Sequence, residues 1–137
     1  MPRIQICLIM PDITHRKDID QLVATFYTKA TTDPIIGHIF TEVAKLNLET
    51  HLPVICDFWE SVLLGNMVYR GNPMRKHLAL ARKTALQGEH FEVWLGLWEE
   101  TIRELFAGEK AELAIFRARN IGRLMLHKIK VMEEYGR

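Results

Sequence analysis

Hydrophobic residues recur at steps of three and four along most of the chain, which is the spacing of amphipathic helices. In residues 18–32 the repeat consists of Ile19, Leu22, Val23, Phe26, Tyr27 and Ala30. The pattern predicts a first helix over 18–32 with Asp18 as its N-cap. Pro34 disfavours helical geometry in the residue before it, so we expect a corner that carries Phe40.

A second apolar stripe predicts a helix over about 50–64, and His51 falls on that stripe. Beyond it, Asn72 and Pro73 are typical of a helix start, because asparagine caps the first turn and proline suits the first helical position. We therefore expect a short helix there, with His77 on its apolar side. Loops are expected on both sides of this short helix.

The C-terminal half contains the strongest stripe, over 91–105, and a final amphipathic segment over about 109–135. At 1.5 Å per residue the last helix would reach roughly 40 Å. No alternation of period two and no internal repeat occurs, so the periodicity predicts an all-α fold. A chain of 137 residues suits one domain, for which we expect residues 18–137, preceded by an N-terminal extension over 1–17.

Charge disfavours a nucleic-acid partner. The 18 Lys and Arg residues are balanced by 17 Asp and Glu residues, so no concentrated basic face for phosphates is expected. The nearest exception is the group Arg117, Arg119 and Arg123, which is more often a solvated helix face.

The cysteines and the N-terminus bear on location. Cys7 and Cys56 form no Cys-x-x-Cys-His sequence, which excludes covalent c-type haem attachment, and they suit a reduced cytoplasmic protein. The apolar run over residues 4–10 is too short to span a membrane and lacks a convincing signal cleavage site. The sequence therefore predicts a cytoplasmic location.

Three histidines, His51, His77 and His90, lie on apolar faces, where neutral imidazole is a natural ligand for haem iron. An ordinary core or boundary histidine is the common alternative at each position. His77 is favoured as the ligand, because a short helix between loops can bring an imidazole to a flat cofactor. Tyr27 and Trp94 could donate hydrogen bonds to a bound gas, although both also suit an ordinary amphipathic core.

Taken together, these residues resemble the third group of bacterial truncated haemoglobins. The similar stretches are Phe26-Tyr27-x-Lys29, His51-Leu52-Pro53, Asp57-Phe58-Trp59, Tyr69-x-Gly71-Asn72-Pro73-Met74-x-x-His77 and His90-Phe91-x-x-Trp94-Leu95-x-Leu97-Trp98. They follow the family's order and extend from about residue 18 to the C-terminus. The first 17 residues and the segment 79–89 match less well.

The resemblance implies a truncated globin fold, a two-over-two helical sandwich around non-covalent haem b. It implies that His77 is the iron ligand and that Tyr27 and Trp94 form a distal hydrogen-bonding pair. His51 matches the distal position that faces the gas, and Phe40 matches an aromatic residue that packs on the haem.

Three functions stay open at this point. The first is reversible binding of O2, NO, CO or a similar small ligand, for oxygen transport or for detoxification of NO and peroxide. The second is a haem enzyme, an NO dioxygenase or a peroxidase-like protein, which would need a separate electron donor because no reductase domain fits in the chain. The third is a haem-free helical interaction module. The sequence assigns no catalytic residue.

Overall fold

The computed structural model describes residues 10–43, 45, 47–71 and 86–135. The described chain forms four long helices: α1 (Arg16–Thr32), α2 (Leu48–Leu64), α3 (Gly88–Leu105) and α4 (Glu109–Tyr135). A π-helical turn, Ile39–Val43, lies between α1 and α2 and carries Phe40 at the expected corner. No strand occurs within these ranges, and the predicted all-α fold is confirmed.

The start of α1 differs from the prediction. Asp18 is not the N-cap, because the helix begins at Arg16 with His15 in the capping position. The Asp18 carboxylate instead reaches back and accepts hydrogen bonds from the backbone N–H groups of Thr14 and His15, at 2.9 and 3.3 Å. An acidic residue in the first turn also suits the positive end of the helix dipole.

The helix α2 also begins earlier than predicted. Its N-cap is Asn47, whose side-chain oxygen accepts from the N–H of Glu49 at 3.0 Å. Pro53 is accommodated inside the helix, and Gly65 ends it in the left-handed conformation, at φ 77°. Glycine adopts this conformation without the strain that a Cβ atom would cause.

The start of α4 is held by a residue from the opposite end of the chain. The Asp12 carboxylate accepts hydrogen bonds from the N–H groups of Lys110 and Ala111, both at 2.9 Å. A Cβ atom on Gly108, which has φ 142°, would lie 2.5 Å from the Asp12 side chain. Ile13 is fully buried in the core. Part of the segment before residue 18 thus packs on the helices, and the predicted domain boundary stays a prediction.

The helices pack in pairs around a single hydrophobic core. α1 contacts α2, α3 and the π-helical turn, and α4 contacts α3 and α2. All six apolar residues of the first predicted stripe are buried. This arrangement is the two-over-two helical sandwich, which leaves space between the helices. Among the described helices, none combines the length and apolar character required to cross a bilayer.

Candidate ligand-binding cavity

An apolar cavity opens between the helices. Its volume is about 120 Å³, and it is open in part to solvent. α1, the π-helical turn, α2, α3 and α4 all contribute to its lining, together with residues from the loops before α3. The lining consists of Phe26, Tyr27, Ile36, Ile39, Phe40, Ile55, Phe58, Trp59, Tyr69, Leu86, His90, Phe91, Trp94, Trp98, Ile121 and Met125. Its apolar walls and few polar groups are typical of a cofactor or small-molecule site.

Aromatic rings form much of the wall and hold one another in place. Trp59 and Trp98 are stacked, with centroids 4.8 Å apart and planes at 26°. Phe26 meets the edge of Trp98 at 5.2 Å. The buried indole N–H of Trp98 donates to the carbonyl oxygen of Ala114 on α4, at 3.2 Å. Interlocked rings with a satisfied polar atom make a rigid wall, because edge-to-face contacts restrict the orientation of each ring.

Tyr27 and His51 form a polar pair at this wall. The phenolic oxygen of Tyr27 lies 3.0 Å from Nε2 of His51, and the ring planes are nearly perpendicular at 83°. Tyr27 is only 7% exposed and lines the cavity from α1. His51 lies in the first turns of α2, is half-buried and contacts the lining through Tyr27. The two helices thereby place a hydrogen-bonding pair at an otherwise apolar surface.

The surroundings keep Tyr27 protonated. Burial, with a smaller contribution from the nearby Cys56, raises the pKa of the Tyr27 phenol well above its usual range. Desolvation disfavours the phenolate, because the charged form loses more hydration than the neutral form. At physiological pH Tyr27 is therefore a neutral phenol that can donate a hydrogen bond.

Phe40 and Trp94 complete the set of described site residues predicted from the sequence. Phe40 meets Tyr27 edge to face, with centroids 5.6 Å apart and planes at 79°. Trp94 lines the cavity from α3 and meets Phe26 in the same manner at 6.4 Å. The structure thus places Phe40 and His51 each in direct contact with Tyr27. Trp94 lies in the same cavity wall. His77, the predicted iron ligand, lies outside the described residues.

Two further polar residues line the cavity. His90, which the sequence places on an apolar face, stands in the first turn of α3, and its Nδ1 accepts from the backbone N–H of Gln87 at 2.9 Å. Neutral His90 therefore carries its hydrogen on Nε2. Tyr69 was noted only within the family motif. Its backbone N–H donates to the hydroxyl of Ser61 at 3.0 Å, and its ring packs on Phe58 at 5.3 Å. This placement depends on a contact between a loop and α2, for which the sequence near Tyr69 contains no periodic signal.

An all-helical sandwich that encloses an aromatic cavity with a tyrosine–histidine pair at its wall defines a globin-like class of protein. No family model matches the chain. The chain is 31% identical, over 125 residues, to the group 3 truncated hemoglobin ctb of Campylobacter jejuni; this match covers 89% of the chain and 94% of that relative. A crystal structure of group III truncated hemoglobin from Campylobacter jejuni superposes with a TM-score of 0.77 and 27% identity. This superposition covers 88% of this chain and 95% of the other. The chain belongs to the group III truncated haemoglobins, and the predicted resemblance is confirmed.

Proposed function

We propose that this protein holds haem b non-covalently in the cavity, with His77 as the iron ligand, and reversibly binds O2 and other diatomic gases. Family membership supports a haem globin over the haem-free interaction module. The observation that carries the proposal is the Tyr27–His51 pair, 3.0 Å apart, at the wall of an aromatic cavity.

The lining suits a haem. A porphyrin ring is large, flat and mostly apolar, and the walls of this cavity are apolar and rich in aromatic rings, against which such a ring could pack. Phe40, whose ring packs on Tyr27, would contact the haem. When bound, haem would supply an iron atom able to accept a diatomic ligand, with His77 as its protein ligand. The apolar wall would limit the access of water.

Tyr27 and Trp94 would act as hydrogen-bond donors to the gas. The neutral phenol of Tyr27 and the indole N–H of Trp94 both belong to the cavity wall. For the Tyr27 hydrogen to be available to a ligand, His51 must present an N–H to the phenolic oxygen, which the 3.0 Å contact allows. His51 would then orient the Tyr27 hydroxyl and control entry of the ligand.

These donors favour O2 over less polar gases. Bound O2 carries partial negative charge, and hydrogen bonds to a charged acceptor in a dry cavity are stronger than those between neutral groups. Slow release of O2 suits oxygen binding and transport. The same pocket would also serve detoxification of NO or peroxide, with electrons supplied by a separate protein donor.

Haem titration tests the proposal. Apoprotein titrated with haem is expected to bind one haem per chain and to give an intense Soret band. His77→Gly should lose haem affinity or the ferrous spectrum of the wild type, and added imidazole should restore the spectrum. His90→Gly is the matched comparison, because His90 also lies at the cavity but is not the ligand that the sequence favours.

Two results would contradict the proposal in different ways. If the wild-type chain bound no haem in the titration, the haem function would be wrong. If His77→Gly kept the wild-type spectrum while His90→Gly or His51→Gly lost it, haem binding would be supported. The iron ligand would then be the histidine whose replacement removed the spectrum.

A further inference from the structure

The outward face of α4 carries large apolar residues that the fold does not use. Phe116, Leu124 and Val131 are 57%, 49% and 39% exposed. Their spacings of eight and seven residues keep them on one side of the helix, within a sector of about 80°. From Phe116 to Val131 the row is about 22 Å long, at 1.5 Å per residue. We call this row the outer apolar row.

The inward face of the same helix has a different role. Ile121 and Met125 line the cavity, and Ala114 and Ala118 are buried against the other helices. These residues account for the packing of α4 without the outer apolar row. The exposed polar residues Asn120 and His127 lie between the side chains of the outer apolar row, so the row is amphipathic. Large apolar side chains that recur on one exposed helix face mark a candidate interaction site.

Basic residues border the outer apolar row on both edges. Between residues 113 and 132 the sequence contains five Lys and Arg residues and no Asp or Glu, whereas the flanking residues Glu112, Glu133 and Glu134 are acidic. By helical position, Arg117 and Lys128 lie along one edge of the row. Along the other edge lie Arg119, Arg123 and Lys130.

Acidic groups of the neighbouring helix offset only part of this charge. Arg119 donates to Glu99 of α3, which also pairs with Arg103 at 3.1 Å. Arg123 donates to the uncharged side chain of Asn120 at 2.7 Å. The basic residues are all exposed, so the sequence-based interpretation of a merely solvated arginine face accounts for the charges but not for the apolar row between them.

We propose that this face of α4 binds the surface of an anionic lipid bilayer. The exposed cations on both sides of the row suit the phosphates of an anionic lipid surface. An apolar row bordered by cations is the pattern of helices that lie in the interface, with apolar side chains inserted and cations at the lipid phosphates. This proposal does not depend on haem binding.

Co-sedimentation of the full chain with vesicles tests the proposal. The chain is expected to bind vesicles of mixed phosphatidylglycerol and phosphatidylcholine, to release as salt is raised, and to leave pure phosphatidylcholine vesicles unbound. Phe116→Ser with Leu124→Ser, and separately Arg117→Gln with Lys128→Gln, should each weaken partitioning roughly tenfold. Tryptophan fluorescence in the unbound state checks that each variant is folded.

Matched controls change the same chemistry elsewhere. Met67→Ser removes an apolar side chain that is 82% exposed but lies outside α4. Lys17→Gln with Lys45→Gln removes the same charge from other exposed positions. Both controls should partition like the wild type.

Equal binding to anionic and neutral vesicles, or none to either, would overturn the proposal, as would wild-type partitioning by the Phe116→Ser, Leu124→Ser variant. Capture by immobilised polyglutamate without vesicle binding would also overturn it, and would indicate an acidic protein partner instead.

Discussion

Two polar clusters in this fold differ in their hydrogen-bond partners: one bonds to the backbone and the other bonds side chain to side chain. The Asp12 carboxylate bonds to backbone N–H groups, those of Ile13, Lys110 and Ala111. Tyr27 and His51 bond side chain to side chain, beside an apolar cavity. A carboxylate that satisfies the first turn of a helix stabilises the fold. A hydroxyl–imidazole pair at the wall of an apolar cavity is placed where it could meet a ligand.

Cys56 is a buried thiol close enough to Tyr27 to influence its pKa, and it tests how well this side of the cavity wall is shielded from solvent. Burial, with a hydrogen bond that the thiol donates to the Asp20 carboxylate, raises the pKa of the Cys56 thiol from 9.0 to about 12. That difference lowers the thiolate fraction at pH 8 by roughly a thousandfold, and the thiolate is the reactive form. We expect Cys56 to resist iodoacetamide in the native protein and to react in urea. Peptide mass spectrometry, which separates Cys56 from Cys7, measures the alkylation rate of Cys56 in the native protein and in urea. Equal rates under the two conditions would show that the Cys56 thiol is accessible and would contradict its burial.

The Asp12 cluster is expected to affect stability alone. Asp12→Ala removes the cap of α4 and should lower the free energy of unfolding by about 1–2 kcal/mol, measured by urea denaturation. Asp12→Asn keeps one acceptor oxygen and should lose less. The O2 release rate should match the wild type in both variants. A change in that rate would contradict the assignment of the Asp12 cluster to stability alone.

In contrast to the Asp12 variants, a His51 variant should change ligand kinetics more than stability, and the effect is expected to be the smaller one. Under the proposed role of His51 in ligand entry, His51→Ala is expected to change the association rate of O2 several-fold, and more than the dissociation rate. His38→Ala, at an exposed position of the corner, is the control. Flash photolysis and stopped flow provide the two rates; a larger effect on dissociation would make His51 a stabiliser of the ligand.

The same contrast explains what the sequence could predict. The buried face of α1 was predicted because the spacing of Ile19, Leu22 and Phe26 depends only on local helix geometry. The cap of α4 was not predicted, because Asp12 lies 98 residues before Lys110 and no local pattern links them. The helix starts were imprecise for a related reason, since side chains before the apolar stripe decide where the first turn begins.

The cavity residues show the same difference between features that local helix spacing predicts and features that depend on contacts between distant parts of the chain. Periodicity placed Tyr27 and His51 on apolar stripes, but only the family resemblance implied that both face one site, and the structure shows their 3.0 Å contact. Tyr69 enters the cavity through a contact between its backbone and Ser61, which no helical repeat signals. Residues outside a regular element were thus the hardest to assign.

The comparison of O2 and CO release in Tyr27 and Trp94 variants tests the central claim most directly. Tyr27→Phe removes a hydroxyl from the cavity wall while keeping the ring, and Tyr69→Phe does the same at another lining position. Trp94→Phe is paired with Trp98→Phe, which removes an indole N–H that donates to the carbonyl oxygen of Ala114.

Stopped-flow ligand replacement measures each dissociation rate. Loss of one hydrogen bond to a polar ligand should speed O2 release about tenfold or more, since about 1.4 kcal/mol corresponds to tenfold in rate. CO release should change far less. The account predicts fast O2 release in Tyr27→Phe and Trp94→Phe but not in Tyr69→Phe or Trp98→Phe. Unchanged O2 release in both Tyr27→Phe and Trp94→Phe would contradict it.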